Sequence, residues 1–239
     1  MEATESTTTV LDYYEELLKE DPTHVAAWKR QISVLRRVGH IDKAVEELNE
    51  LLDTFYLDTE GWLELADMYS SSNQYDLYLW SATSIDLFLS RYKYALQALS
   101  HAVLLAPQNP FTFLQFAETA YTSGDLPLAL KMFLVVVEMY DGEDPQPTPE
   151  GISIRAWWGV KLVRALFLLS VRGWRCFTDF KQCTRLLISS TSHSSPSKTP
   201  IPKNLNLIDE LATERVLTAY GGETGAQTRP LVSKWMSER

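Results

Sequence analysis

The stretch VAAWKRQISVLRRVGHIDKAVEELNELLDTFYLDTEGWLELADMY (residues 25–69) carries two tryptophans, Trp28 and Trp62, 34 residues apart. Its apolar residues recur at helical spacing, and almost none of it alternates with the period of two that marks a half-buried strand. A helical pattern with a fixed period is the signature of a repeat built from helix pairs. Counting each Trp as position 4 places Leu35 at position 11, Gly39 at 15, Ala44 at 20 and Leu48 at 24. In the next unit Leu65, Ala66 and Tyr69 fall at 7, 8 and 11.

Thirty-four residues is the period of the tetratricopeptide repeat, two antiparallel helices, A and B, per unit. Positions 8 and 20 meet where the two backbones come closest and take small side chains. Large apolar groups at 4, 7, 11 and 24 fill the space around that contact. Pro22 then stands at position 32 of a preceding unit, where it ends a B helix before the next A helix begins. VLDYYEELLKE, with Val10, Tyr14 and Leu17 inward, is therefore expected as the B helix of an N-terminal half repeat, residues 1–24.

The register breaks once. Position 20 of the second unit is residue 78, a tyrosine, and the pattern is met instead by Ala95, followed by Leu99 at 24 and Pro107 at 32. The displacement of 17 residues recurs in Phe113, which lies 51 after Trp62 and again takes position 4. Ala117, Ala129 and Phe133 follow at 8, 20 and 24. The extra material is DLYLWSATSIDLFLSRY, residues 76–92, an irregular insertion between the helices of one repeat. It reads as a partner-binding loop, as an extension of the neighbouring helices, or as translated intron. Flanks that rejoin in register, and a segment without helix caps, favour the last.

The expected architecture is all-α, a tetratricopeptide-type solenoid over residues 25–172, with units 25–58, 59–109 (holding the insertion) and 110–143. A fourth, blurred unit spans 153–190, with Trp157 at position 4 after the linker DGEDPQPTPEG. Residues 190–204 read as a Ser/Pro linker. Residues 205–239 read as an amphipathic helix, with Leu205, Ile208, Leu211, Ala212 and Leu217 near one stripe, and a loose tail.

Composition narrows the function. The 239 residues hold 22 basic and 31 acidic side chains, a formal net charge of -9. A nucleic-acid partner needs a concentrated basic surface, so none is expected. No apolar run approaches the roughly 20 residues of a membrane span, and the polar start MEATESTTTV shows no leader pattern. The two cysteines, Cys176 and Cys183, are expected as plain buried thiols of a reducing compartment. His24, His40, His101 and His193 are scattered, no metal-ligand spacing or catalytic motif is present, and no enzyme, metal or cofactor is expected.

What remains is a binding surface. Positions 2, 5, 9 and 12 of each A helix line the concave face of such a solenoid. Here they are Lys29, Ser33 and Arg36, then Glu60, Leu63 and Asp67 with Ser70, then Phe111, Leu114, Glu118 and Tyr121. One group of these repeats holds acidic chaperone tails with a Lys/Asn/Asn/Lys/Arg clamp. Only Lys29 fits it: Ser33 and Glu64 stand at asparagine positions, and Phe111 and Gln115 where Lys and Arg belong. Without those charges a peptide carboxylate loses its strong bonds. A mixed groove, basic at one end and aromatic at the other, suits an extended segment or a folded partner.

AVEELNELLDTFYLDTEGWLELADMY (residues 44–69), with its Glu-Gly-Trp-x-Glu-Leu-Ala-x-x-Tyr block, resembles subunit 2 of the endoplasmic reticulum membrane protein complex. ALQALSHAVLLAPQNPFTFLQFAETAYTSGD and RAWW look like later units of the same family, so the likeness runs over residues 10–172. The resemblance implies a non-enzymatic cytosolic scaffold, peripheral on the endoplasmic reticulum, in a complex that inserts transmembrane helices and tail anchors. It implies as partners the cytosolic segments of membrane-embedded subunits and a soluble subunit 8/9-type protein. The residues alone allow an alternative, a cytosolic adaptor or co-chaperone that binds an extended peptide.

Overall fold

A computed structural model of the chain describes residues 7–71, 82–141, 148–172, 199–200, 202, 204–222, 225 and 227–237. Ten helices and no strand occur among them. They are α1 (Thr7–Glu20), α2 (Val25–Val38), α3 (Ile41–Thr54), α4 (Thr59–Ser71), α5 (Ala82–Leu105), α6 (Pro110–Thr122), α7 (Leu126–Asp141), α8 (Ile152–Arg172), α9 (Leu205–Ala219) and α10 (Arg229–Ser237). The chain divides into two compact units, Met1–Ala106 and Pro107–Arg239.

The repeat pattern sets where helices start and stop. α1 ends two residues before Pro22, and Asp21 accepts hydrogen bonds from the Thr23 hydroxyl (2.7 Å) and N–H (3.0 Å). Those bonds hold the Asp21 carboxyl below its usual range. His24 Nδ1 then accepts from Ala27 N–H and caps α2. Gly39, at position 15, closes α2 with φ 93°. Its N–H donates to Arg36 O and that of His40 to Leu35 O. Gly124, at the same repeat position, has φ 86°. Its N–H donates to Tyr121 O and that of Asp125 to Ala120 O. This paired closure needs the left-handed conformation that glycine adopts without a Cβ penalty, which is why position 15 is glycine in both units.

In the first unit each helix packs against the next, α1 on α2 through α4 on α5. Ile32, Leu48, Leu51, Leu52, Met68 and Leu99 are buried. Each buried aliphatic side chain of this kind contributes about 1.5–3 kcal/mol. Ala66 and Ala95, at positions 8 and 20 of one unit, are at most 1% exposed, and Ala44 at position 20 of the preceding unit is fully buried, while position 8 of that unit is the larger Ile32, also buried. Val10 is buried on α1, while Tyr14 and Leu17 are half-buried. The extra material is not irregular throughout: from Ala82 onward it is helical and continuous with α5. Residues 72–81 lie outside the described residues.

In the second unit α6 packs on α7, α7 on α8, and α8 on α9. Asn109 caps α6 through Phe111 N–H with Pro110 at the first helical position. Ala117 and Ala129 are fully buried, with Phe113, Phe116 and Phe133 around them. Trp157 is buried on α8. The partner helix expected after it, both cysteines and most of the 190–204 linker fall outside the described residues. α8 also packs against α9. Of the stripe expected inward on α9, Ala212 is buried with Val216, but Leu211 is exposed. The tail, expected to be loose, contains α10, whose Trp235 ring stands edge-on to Trp158 at 5.3 Å. A short helix is stable here because an aromatic contact anchors it.

Candidate functional site

The concave positions of the first unit come together as a ladder of charges between successive A helices, α2 and α4. Lys29 Nζ lies 2.6 Å from Asp58 Oδ2 and 3.6 Å from Glu60 Oε2. Lys29 and Asp58 thus form a close ion pair. Arg36 pairs with Asp67 and, at 3.8 Å, with Glu64. Ser33 is exposed and Leu63 half-buried between these rungs. Two cations thus meet four carboxylates, and the basic end expected of the groove is neutralised by its own neighbours. Asp58 was not among the expected groove residues, and Glu64 was expected only to stand at an asparagine position of the peptide clamp. The signal for them lies in the period: Lys29 and Asp58, like Arg36 and Asp67, are separated by slightly less than one repeat.

The ladder is held from behind by the repeat core. Trp28 Nε1 donates to Glu47 Oε2 at 2.8 Å, tying α2 to α3. Gln31 takes position 7, where a large apolar group is expected, and its buried Oε1 has no hydrogen-bond partner. A buried carbonyl in that state costs about 1–3 kcal/mol, so the first unit carries a polar defect directly behind its charged face.

In the second unit the expected positions take different roles. Phe111 is 63% exposed at the start of α6. Leu114, by contrast, is buried in the core and offers no surface. Glu118 is held by two guanidinium nitrogens of an α8 arginine, with Arg155 Nε at 2.6 Å and Nη2 at 2.9 Å. Tyr121 is half-buried. Here too the charge is matched within the unit, leaving Phe111 as the concave position of this unit most open to a partner. Among the described residues no group of three or more His, Cys, Asp or Glu could hold a metal ion. No described helix is long and apolar enough to cross a membrane.

Comparison with known proteins locates this arrangement. Residues 25–68 match the tetratricopeptide repeat model. ER membrane protein complex subunit 2-A of Xenopus laevis is 37% identical over 125 residues, which is 52% of this chain and 36% of that protein. TPR repeat protein oca3 of Schizosaccharomyces pombe is 42% identical over 76 residues, 32% of this chain and 27% of that one. The solved structure of MamA superposes with a TM-score of 0.47 at 13% identity, covering 86% of this chain and 85% of that one. The chain spans about a third of the length of the curated relatives it matches. Among the described residues the chain is all-α, with a tetratricopeptide repeat matched at residues 25–68, and it is similar over 52% of its length to subunit 2 of the ER membrane protein complex.

Proposed function

We propose that this chain is a non-enzymatic scaffold subunit of the endoplasmic reticulum membrane protein complex, on its cytosolic side. In that place it supports the insertion of transmembrane helices and tail-anchored proteins. The observation that carries the reading is the 37% identity over 125 residues to a protein named as subunit 2 of that complex. The chemistry of the face agrees with a scaffold. Its ion pairs join one element to another within each unit. A surface of that kind binds by shape and by apolar contact. The partners in this reading are cytosolic segments of membrane-embedded subunits and a soluble subunit of the 8/9 type, and the chain reaches the membrane through them.

Affinity capture of the tagged full chain from detergent-solubilised membranes tests this. Co-purification of membrane-embedded subunits is the expected result. Recovery of cytosolic proteins alone would overturn the reading in favour of a peptide-binding adaptor, for which the exposed Phe111 is the best anchor.

A further inference from the structure

A second surface of the first unit lies at the edge where α3, α4 and α5 meet, and the groove reading does not use it. Tyr56 and Leu57 form the turn between α3 and α4. Trp62 Nε1 donates to Tyr56 O at 2.9 Å, and its indole stacks on the His101 imidazole with centroids 4.7 Å apart. The Tyr56 ring stands edge-on to both at 5.8 Å, and its hydroxyl lies 3.1 Å from His101 Nδ1. Leu57 is 78% exposed, and Leu104, one turn beyond His101 on α5, is 76% exposed. These are the two most exposed large apolar side chains among the described residues. Single exposed leucines are ordinary. Two of them flanking a ring stack of fixed geometry make a patch of the kind that marks an interaction site.

Charge identifies what covers it. From Ala44 to Ser71 the chain has no lysine, arginine or histidine. Four of the carboxylates in that span turn toward α2 and pair with Lys29 and Arg36. Glu46, Glu50 and Asp53 instead sit exposed along α3 at helical spacing, in no ion pair among the described residues. The only cation on that helix is Lys43, at its far end. Asp53 is three residues from Tyr56, so the acidic stripe runs into the apolar patch.

We propose that this edge docks a basic amphipathic protein helix. Its apolar side lies over Leu57, the Trp62–His101 stack and Leu104, and its lysines or arginines meet Glu46, Glu50 and Asp53. A purely apolar segment would strip water from three carboxylates without replacing their partners. An anionic lipid surface would repel them. A cationic, one-sided helix satisfies both halves of the surface, as helix-in-groove partners do. The inference does not depend on the membrane-complex reading.

The test uses the full chain and two labelled helix-forming peptides of one pattern, leucine with lysine and leucine with glutamate, read by fluorescence anisotropy. The basic peptide should bind and the acidic one should not. Leu57→Ser with Leu104→Ser should weaken binding about tenfold or more, roughly 1.4 kcal/mol per tenfold step. Glu50→Lys with Asp53→Lys should weaken it at low salt, and the difference should shrink as salt screens the pairs. Unchanged melting temperatures confirm intact folds; if Leu104→Ser disturbs α5, Leu57→Ser alone reads the same loss. Equal affinity for both peptides, or full affinity in either double variant, would overturn the proposal. So would capture by phosphatidylserine vesicles in preference to the basic peptide.

Discussion

Two lysine–aspartate pairs of the same length, 2.6 Å, join helices in the two units, yet they do different work. Lys29–Asp58 lies on the repeat face of the first unit, with side chains 30% and 18% exposed. Lys161–Asp209 joins α8 to α9 in the second, with side chains 10% and 29% exposed, and Lys161 Nζ also donates to Thr213 Oγ1 at 2.8 Å. In the first pair water still reaches the ammonium and screens the attraction, so the pair adds little to packing already set by apolar contacts. In the second the ammonium has left water, so it depends on its two oxygen partners. The first pair decorates a joint that the repeat core makes; the second is part of the joint.

The same contrast governs the tightest packing, and breaking it should give the largest effect. A Cβ added at Gly159 would lie 2.3–2.6 Å from three ring atoms of Phe133, a ring fixed in the core. At Gly61 it would meet Asp58 Oδ2 and Leu52 Cδ2 at 2.9 Å, a looser approach to the ends of two side chains, although Leu52 is itself buried. Alanine improves helix propensity by about 1 kcal/mol at either site. Overpacking costs about 1–3 kcal/mol and more against a fixed ring. Gly159→Ala should therefore destabilise the protein by about 2 kcal/mol net, while Gly61→Ala stays near neutral. Urea denaturation of the two variants decides it, and equal midpoints would mean that α7 and α8 separate freely.

The joint between α8 and α9 gives the next largest effect. Asp209→Ala leaves an ammonium that is nine-tenths buried with Thr213 Oγ1 as its one remaining partner among the described residues and should cost about 1.5–2 kcal/mol. Lys161→Met removes the charge itself and leaves Asp209, which is 29% exposed, in contact with water, so its cost should be nearer about 1 kcal/mol. Amide hydrogen exchange along α9 should rise more in the first variant than in the second. The reverse order would show that the aspartate, not the lysine, is the group that water cannot reach.

How much of this was legible in the sequence follows from which joints repeat. Ala44, Ala66, Ala95 and Ala129 fall at positions 8 and 20 by period and are buried, because the close approach of two helices recurs from unit to unit, although Gln31 and Ile32 depart from the pattern in the first. Gly39 and Gly124 were found because both units close helix A in the same way. The α9 joint has no earlier copy to be compared with, so neither Lys161 nor Asp209 could be singled out, and the exposure of Leu211 was missed. α10 was missed for a related reason: nine residues carry too few turns to declare a helix, and the Trp158–Trp235 contact that holds it joins residues 77 apart in sequence. Of the groove, the positions were legible but their state was not. Lys29 and Arg36 could be placed on one face by spacing, whereas their partners depend on how one helix pair stacks on the next. That stacking is a tertiary fact that turns an expected basic end into a neutral ladder.

The smallest effect tests that ladder. Lys29→Met keeps the length and apolar stem of the side chain and removes only its charge. Glu60 stands in water and the Asp58 side chain is 18% exposed, though its Oδ2 is buried, so the cost should stay at about 1 kcal/mol. Most of it should vanish at high salt, because the screening length falls to about 3 Å at 1 M and the residual attraction with it. The penalty of Asp209→Ala should survive the same salt, since burial rather than distance sets it. A Lys29→Met penalty that persisted at 1 M salt would mean that the first unit hides its cation as the second does. The face would then be a structural joint closed to partners, and the acidic stripe of α3 would be left as the charged surface of that unit open to one.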